Sequence, residues 1–308
     1  MLRKILVSGM LFGMCGLAVY GAEQKAPAAK APAAPAAKLT AAQIVEKNVA
    51  ARGGLQAWRG VQSLKETGKM AAGGNDRATQ PVEIPGAHRP GKSMPLPSNP
   101  RLKEEAQLPF TLELERPRKV RLEIEFAGKT AVQVYDGTNG WKLRPYLNRL
   151  EVEPYTEDEQ KLAAMQTDLD GALIDYAAKG SKVELEGTEK VEDRDAYKLK
   201  VTMANGHETH VWVDAQTFLE AKVEGQPRRM DGKIHPVEVY YRDYRAVNGL
   251  QMPFLLETHV VPVGTGAAAA RETHYQPEKI ALDKIVVNPK LNASDFAKPQ
   301  VQVAATHP

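Results

Sequence analysis

The sequence of 308 residues contains a single cysteine, Cys15. One thiol cannot form an intramolecular disulfide, and it cannot supply the set of thiolates that a structural zinc site needs. Cys15 also lies in an apolar N-terminal segment that we expect to be removed after export. The mature chain is therefore predicted to have no disulfide, no thiolate metal site and no thiol nucleophile.

Motifs of the common catalytic and nucleotide-binding sites are missing as well. The chain has no Gly-x-Ser-x-Gly elbow for a serine nucleophile, no Walker A loop for phosphates and no glycine-rich dinucleotide fingerprint. We predict that the protein is not an enzyme, has no catalytic residues and binds no cofactor. A hydrolase that acts on a lipid-like substrate is kept as a third, more distant alternative.

A short histidine motif deserves comparison with zinc proteases. His207-Glu208-Thr209-His210 has a similar composition, but the protease motif places its histidines four residues apart on a helix, where both imidazoles share a face. Here the spacing is three, in a predicted strand, and residues so spaced point to opposite faces. We predict no metal site.

Charge and aromatic content narrow the range of ligands. The chain has 41 basic and 38 acidic residues, and no dense basic patch. This balance does not favour a nucleic-acid partner. Aromatic residues make up 6% of the chain, so that the walls of any pocket are expected to be mainly aliphatic.

Residues 1–22 have the pattern of a secretion signal. Arg3 and Lys4 give a positive start, and the apolar segment 5–20 that follows is short for a membrane span and ends in small residues. We expect cleavage and a periplasmic location. An uncleaved N-terminal anchor is the alternative.

The domain boundaries follow from changes in composition. Residues 23–38 consist almost wholly of Ala, Pro and Lys, which is typical of a flexible linker. One folded domain is predicted over residues 39–299, followed by a disordered tail at 300–308. Lipid anchoring through Cys15 is not expected, because Met14 before it does not fit a lipobox.

Strict alternation of apolar and polar residues predicts strands after residue 106. The apolar positions are Phe110, Leu112, Leu114, Val120, Leu122, Ile124, Phe126, Val132 and Val134. The intervening glutamates are Glu113, Glu115, Glu123 and Glu125. A period of two puts the apolar side chains on one face and the glutamates on a face that meets water.

Sequence pairs typical of tight turns occur between these strands and between those that follow. The pairs Asp-Gly and Asn-Gly tolerate the positive φ angles of tight hairpins. They occur at Asp136-Gly137, Asn139-Gly140, Asn205-Gly206 and Asn248-Gly249. Hairpin-linked strands without crossover helices predict one antiparallel, strongly curved sheet or open barrel.

Helices are predicted at few places. Thr40 with Gln43, and Thr156 with Glu159, have the spacing of capping boxes, and apolar residues at helical spacing follow each of them. Residues 169–176 are expected to form a further short helix. We expect these helices to cover one face or the mouth of the curved sheet.

Residues 72–106 interrupt the strand pattern. This segment is rich in glycine and proline and poor in apolar residues. It is predicted to be a long loop, either a disordered insertion or a gate over a ligand site. The apolar face of the sheet likewise has two interpretations, a filled core or an open cavity for an acyl chain, and periodicity does not distinguish them.

Several segments together resemble a known family. They are residues 44–70 with Arg52-Gly53-Gly54, residues 134–143 with the hairpin, residues 169–223, and residues 237–258 with Tyr244-Arg245-Ala246-Val247-Asn248-Gly249-Leu250. This pattern resembles the outer membrane lipoprotein-sorting proteins of the LolA-like group. The resemblance covers most of the mature chain, and two features depart from it, the insertion at 72–106 and the linker before the domain.

The resemblance implies both a fold and an activity. The implied fold is mainly β (α+β), a LolA-like half-open antiparallel β-barrel with helices covering the concave face. The implied activity is binding and carrying acyl chains of lipoproteins or other lipids through the periplasm, with envelope transport proteins as further candidate partners. We expect a monomer. An envelope sensor or assembly module that uses the half-barrel for protein contacts is the alternative.

Candidate ligand-contacting residues are those of the apolar sheet face. They are Leu112, Leu114, Val120, Leu122, Ile124, Phe126, Val132, Val134, Leu199 and Val201.

Overall fold

A computed structural model describes residues 39–73, 105–145, 149–165, 169–230, 233–265 and 276–300. Its helices are α1 (Ala41–Ala51), α2 (Leu55–Arg59) and α3 (Glu157–Met165), and a 3₁₀ helix spans Ala293–Phe296. The strands are β1 (Ser63–Gly73), β2 (Glu105–Glu115), β3 (Lys119–Phe126), β4 (Lys129–Tyr135), β5 (Gly140–Arg144), β6 (Arg149–Pro154), β7 (Lys182–Val191), β8 (Arg194–Thr202), β9 (Glu208–Asp214), β10 (Glu220–Met230), β11 (Lys233–Val247), β12 (Leu250–Val260) and β13 (Glu278–Val287). The predicted signal 1–22, the linker 23–38 and nearly all of the predicted tail lie outside the described residues.

All of these strands belong to one antiparallel sheet of 13 strands. Their order is β6-β5-β4-β3-β2-β1-β13-β12-β11-β10-β9-β8-β7. The sheet is open, with β6 and β7 at its edges, and it is built from two meanders that join where β1 pairs with β13. The predicted mainly β fold with an open antiparallel sheet is confirmed.

The sheet is strongly curved. Val120 on β3 and Val211 on β9 line the same cavity, although their strands are seven positions apart in the sheet order. Strands in a sheet are spaced by about 4.8 Å, so that a flat sheet would hold these two strands roughly 34 Å apart. Only a sheet that bends around its concave face brings both strands to one cavity.

The predicted hairpin turns form as the sequence indicates. The Asp136 carboxylate accepts hydrogen bonds from the backbone N–H groups of Thr138 (2.8 Å) and Asn139 (2.7 Å), which fixes the β4–β5 turn. Asn248 and Gly249 both have positive φ angles, 49° and 81°, in the β11–β12 turn. That backbone is the one that a two-residue hairpin requires.

Both predicted capping boxes are present. In the first, Gln43 N–H donates to the Thr40 hydroxyl (3.3 Å) and Thr40 N–H donates to the Gln43 side chain (2.9 Å). The second has the same pair of bonds between Thr156 and Glu159, at 3.3 and 2.7 Å. Each box satisfies backbone donors that the first helical turn leaves free. Among the described helices, none is long and apolar enough to span a bilayer.

The helix predicted at 169–176 does not form. Residues 169–180 are a series of turns, because Gly171 and Asp175 have positive φ angles of 84° and 53° that a right-handed helix cannot include. The segment still packs like a core element, since Leu173 and Ile174 are fully buried. It lies on the concave side of the sheet with α1.

Several strand ends differ from the prediction. β1 extends through Gly73 and β2 begins at Glu105, which shortens the predicted insertion 72–106 from both ends. The rest of that insertion, with its predicted gating or disordered role, lies outside the described residues. The last described strand, β13, is continuous over ten residues, and β6 is a strand that the alternation did not indicate.

The outer face of the sheet carries paired charges. Lys65 Nζ lies 2.8 Å from Glu113, and Lys222 Nζ lies 2.6 Å from Glu238, each on a neighbouring strand. Glu113 was expected to meet water, yet only 7% of it is exposed. The long side chains of the adjacent strand cover it, which the alternation within one strand does not reveal.

Two segments that carry the family resemblance touch each other. Gly53, just after α1, has a φ of 112°, and a Cβ atom there would lie 2.5 Å from the carbonyl oxygen of Gly249 in the β11–β12 turn. The backbone N–H of Gln251 donates to the carbonyl oxygen of Arg52 at 3.1 Å. The end of the helix therefore fits against the hairpin with no room for a side chain.

This contact gives a test at neighbouring glycines. We expect Gly53→Ala to lower the free energy of unfolding by about 1–3 kcal/mol more than Gly54→Ala, measured by urea denaturation, because a side chain at residue 53 collides with backbone. Gly54 is a matched control, since its φ is also positive, at 93°, but nothing lies within 4 Å of a Cβ placed there. Equal losses in the two variants would contradict the close contact.

Candidate functional site

A cavity of about 620 Å³ lies on the concave side of the sheet. Its walls come from both meanders, from the end of α1 and from the turns after residue 169. The apolar part of the lining is aliphatic, as the low aromatic content predicted, and charged side chains line the cavity as well. The apolar lining includes Leu114, Val120, Val211, Val223, Met252, Leu256, Leu282 and Ile285.

The concave face is only partly filled. Ile44 and Val45 of α1 pack against Leu199 and Val201 of β8, and all of these side chains are buried. α1 therefore occupies the space over β8 and β9, while the cavity extends over the strands from β9 to β3. The part of the apolar face beneath α1 is therefore a filled core, and the part from β9 to β3 borders an open cavity.

The candidate residues from the sequence fall in different places. Leu114 and Val120 line the cavity. Leu112, Leu122 and Ile124 lie beside it, partly buried against a core cluster that includes Trp58 and Phe110. Leu199 and Val201 are sealed beneath α1. Phe126, at the end of β3, is 45% exposed.

Val132 and Val134 lie on the opposite face from Leu122. In the β3–β4 register, Val132 is opposite Glu123 and Val134 is opposite Arg121. Both valines are buried beneath Phe296 of the 3₁₀ helix. The cause is the turn 127–128, which has two residues, so that an even-numbered residue on β3 shares a face with odd-numbered residues on β4.

A buried ion pair lies at one wall of the cavity. Arg52 Nη1 lies 3.0 Å from Glu220 Oε1, and the two side chains are only 9% and 6% exposed. The same nitrogen donates to the carbonyl oxygen of Asp170 at 2.9 Å, and the Tyr244 hydroxyl donates to the backbone carbonyl of Glu220 at 3.0 Å. The guanidinium also lies over the ring of Trp58, 4.3 Å from its centroid.

A second charged cluster adjoins the first. The Asp170 carboxylate accepts from Arg116 Nη2 at 2.6 Å and from Lys179 Nζ at 2.5 Å. Each charge in the two clusters faces an opposite charge, so that the burial of these groups is compensated. The polar wall is thus largely saturated by its own contacts.

The tyrosines of this wall stay protonated. Burial, together with the negative charge of Glu220, raises the pKa of Tyr241 to about 12. The same causes raise the pKa of Tyr244 well above its ordinary value. Both phenols are therefore hydrogen-bond donors throughout the physiological pH range.

Glu66 is different from the other acidic residues of the cavity. It lies on β1 directly between Leu112 of β2 and Ile285 of β13, and it lines the cavity together with Ile285. Its carboxyl group has no hydrogen-bond or ion-pair partner among the described residues. Burial raises the pKa of Glu66 to about 7.

The histidines of the His207-x-x-His210 motif are separated. His207 lines the cavity, whereas the ring nitrogens of His210 lie 3.2 Å from Glu186 and 2.9 Å from Glu224. Within the described ranges, no group of three or more histidine, cysteine, aspartate or glutamate side chains is arranged to hold a metal ion.

Sequence reasoning missed the polar residues of the cavity. Arg52 and Glu220 are far apart in the chain, and no motif pairs them. Glu66 could be found from the sequence around it. It lies two residues after the buried Leu64 on β1, and residues two apart on a strand point to the same face. A charged residue on the apolar side of a strand is a candidate site residue.

The raised pKa of Glu66 predicts a specific pH dependence. Its ordinary pKa is 4.5, so that between pH 4.5 and 7 the folded protein holds a proton that the unfolded chain releases. The free energy of unfolding therefore falls as the pH rises through this range, by up to about 3 kcal/mol. We expect Glu66→Gln to remove this fall and to be more stable than the parent protein at pH 8, measured by urea denaturation.

The control for this prediction is Glu113→Gln. Glu113 is also buried, but it lies on the outer face and is paired with Lys65. This variant should keep the fall in stability that the parent shows. A Glu66→Gln variant with the same pH profile as the parent would mean that the carboxyl group is solvated.

The buried pair Arg52–Glu220 should contribute far more than exposed pairs do. We expect Arg52→Met to cost about 3–5 kcal/mol in the free energy of unfolding, because it leaves Glu220 charged and buried. The double variant Arg52→Met with Glu220→Gln should lose at least about 1 kcal/mol less in the free energy of unfolding than the sum of the losses in the two single variants. Lys190→Met is the control, since its ion pair with Asp195 is 62% and 60% exposed and should be worth no more than about 1 kcal/mol. Strict additivity at Arg52 and Glu220 would contradict the coupling.

Comparisons with known proteins concern the fold. No protein-family model and no curated protein matches the sequence. A LolA superfamily protein from Nitrosomonas europaea is 13% identical, with 85% of this chain and 99% of that chain covered and a TM-score of 0.47. A DUF1329 family protein from Desulfovibrio piger is 12% identical, with 84% and 97% covered and a TM-score of 0.48.

A third solved structure, from Vibrio parahaemolyticus, is assigned to the outer membrane lipoprotein-sorting proteins. It is 11% identical, with 83% of this chain and 95% of that chain covered and a TM-score of 0.46. Likenesses of this size say nothing about a ligand or an activity. The chain is similar in fold to solved structures that include the group which its sequence motifs resemble.

Proposed function

We propose that the protein is a periplasmic binder or carrier of acyl chains, from lipoproteins or other lipids, with no catalytic role. The observation that carries this proposal is the cavity on the concave side of the open sheet, whose apolar lining is aliphatic. Its volume of about 620 Å³ lies in the range of small-molecule sites, which is roughly 300–1,000 Å³.

The chemistry of the walls supports an apolar ligand. Burying each methylene of an acyl chain contributes about 0.8 kcal/mol, so that aliphatic side chains such as Leu114, Leu256 and Leu282 suffice for binding. The charged groups nearby, Arg52 with Glu220 and the cluster around Asp170, already bind each other. They shape one end of the cavity without needing a charged ligand.

The cellular role rests on the sequence. The pattern of residues 1–22 supports export to the periplasm. The resemblance to the LolA-like group supports a role in outer membrane lipoprotein sorting, with envelope transport proteins as partners. The monomer that we propose would take its ligand between sheet and helix.

The first test is to identify what the cavity holds. The full chain, exported with its own leader and purified from the envelope, would be analysed by native mass spectrometry and then by lipid extraction. We expect lipid or acylated protein at a near-stoichiometric level. A ligand-free protein that also fails to bind an added apolar probe would overturn the proposal.

Filling the cavity should block binding. We expect Leu114→Trp to weaken binding of the uncharged apolar dye N-phenyl-1-naphthylamine by about tenfold or more, which corresponds to the burial of about two methylenes. The measurement is dye fluorescence against protein concentration.

The matched control is Thr111→Trp on the same strand. Thr111 is on the outer face, opposite Thr67 and Glu123 in the register. It adds the same side chain without entering the cavity, and dye binding should be unchanged. Unchanged binding in Leu114→Trp as well would show that the dye binds elsewhere.

A further inference from the structure

The unpaired carboxyl group of Glu66 has no structural explanation in the fold. It lies among aliphatic side chains, with Leu112 and Ile285 on the flanking strands and Leu64 next to it on its own strand. Glu66 is half-buried, and a polar group that is withdrawn from water without a hydrogen-bond partner destabilises a folded protein. An apolar residue here would pack better and would complete the wall.

The cations around the cavity are not available to Glu66. Arg52 is paired with Glu220, Arg116 with Asp170, and Lys119 with Glu115 at 2.6 Å. Arg118 donates to the carbonyl oxygen of Ala164 at 3.4 Å. Glu66 is therefore the carboxyl group of the apolar wall whose hydrogen-bonding capacity is unused among the described residues.

We propose that Glu66 binds the polar end of the ligand, and that the cavity selects a hydrocarbon chain that ends in a hydrogen-bond donor, an amine or a hydroxyl, over one that ends in a carboxylate. This inference rests on the proposed function, because it presumes that the cavity takes a hydrocarbon chain. A carboxylate is an acceptor with four lone-pair sites, and ammonium and hydroxyl groups are the donors that complement it.

The same site disfavours a free fatty acid. An ionised Glu66 and a ligand carboxylate would be like charges in an apolar environment, where their repulsion is screened little. A protonated Glu66 could donate to a carboxylate, so that discrimination should decrease at lower pH. An amine-ended ligand instead gains a charge-assisted hydrogen bond when Glu66 is ionised.

Other titratable groups face the same space and must be considered in any pH experiment. They come from elements all around the cavity: Arg52, Glu115, Arg116, Arg118, Lys119, Asp170, His207, Glu208, Glu220, Glu224, Tyr241 and Tyr244. Tyr241 is near enough to Glu66 for the carboxylate charge to raise the pKa of the phenol. The strands that flank Glu66 present Leu112 and Ile285, which do not titrate.

The test uses ligands with one chain and different ends. Decylamine, decan-1-ol and decanoate would displace N-phenyl-1-naphthylamine from the exported full-length protein at pH 8.5 and pH 6. We expect decylamine to bind at least about tenfold more tightly than decanoate at pH 8.5, as for a hydrogen bond to a charged group. Decan-1-ol shows whether a neutral hydrogen-bond donor is enough for tighter binding than decanoate, or whether the positive charge of the amine is needed.

The variant Glu66→Gln keeps the size of the side chain and removes its charge. The affinity of each ligand is referred to the dye affinity measured for this variant itself, and we expect decylamine and decanoate to bind within about twofold of each other. Glu113→Gln, altered on the outer face, should keep the full preference. The same preference in the parent and in Glu66→Gln would overturn the inference while the proposed function stands.

The pH arm needs no variant. In the parent protein the preference for decylamine over decanoate should grow from pH 6 to pH 8.5, because both ligands keep their charge in this range while Glu66 loses its proton. A preference that does not change with pH would overturn the inference. Failure of the parent protein to bind the dye and all of the ligands would overturn the proposed function itself, and the inference with it.

Discussion

The buried guanidinium of Arg52 is the contact on which the arrangement of the concave side depends. It joins the end of α1 to Glu220 on β10 and to the backbone of the turn at Asp170. The carbonyl oxygen of the same residue accepts from the Trp58 indole at 3.0 Å and from the Gln251 backbone at 3.1 Å. Arg52 thus positions α1, the turn at Asp170, Trp58 and the β11–β12 hairpin. Because its guanidinium is charged and buried, loss of its partners would be strongly destabilising.

This constraint explains why the concave face is divided. α1 is held with Ile44 and Val45 over β8 and β9, and it cannot move across the sheet without exposing the Arg52–Glu220 pair. Val49 of the same helix packs on the clusters of both halves, so that the helix rests where they meet. The apolar surface that the helix does not cover becomes the wall of the cavity.

Much of the sheet could be predicted from the sequence, because a period of two and Asn-Gly turns are local signals. Strand identity, the open antiparallel fold and both capping boxes follow from residues within a few positions of each other. What could not be read within one strand is which strands share a face. Val132 and Val134 continue the alternation, yet the two-residue turn at 127–128 sends them to the outer face.

The polar end of the cavity was harder to predict for the same reason. Glu220 becomes a neighbour of the cavity only through curvature and register, which are properties of the whole sheet, whereas Glu66 shares the face of the buried Leu64 on its own strand. Residues 169–176 are mainly apolar and look helical, but Gly171 and Asp175 have positive φ values. Asp170-Gly171 is a local turn signal, whereas nothing near Asp175 in the sequence indicates its positive φ.

The pairing of β1 with β13 has a consequence for how the protein is made. These strands lie in the middle of the sheet, although they are the first and the last strands described along the chain. Each meander can form from neighbouring segments, but the centre of the sheet cannot form until the chain has been made through Val287, the end of β13. The cavity takes its walls from both meanders, so that it is complete only after β13 has joined β1.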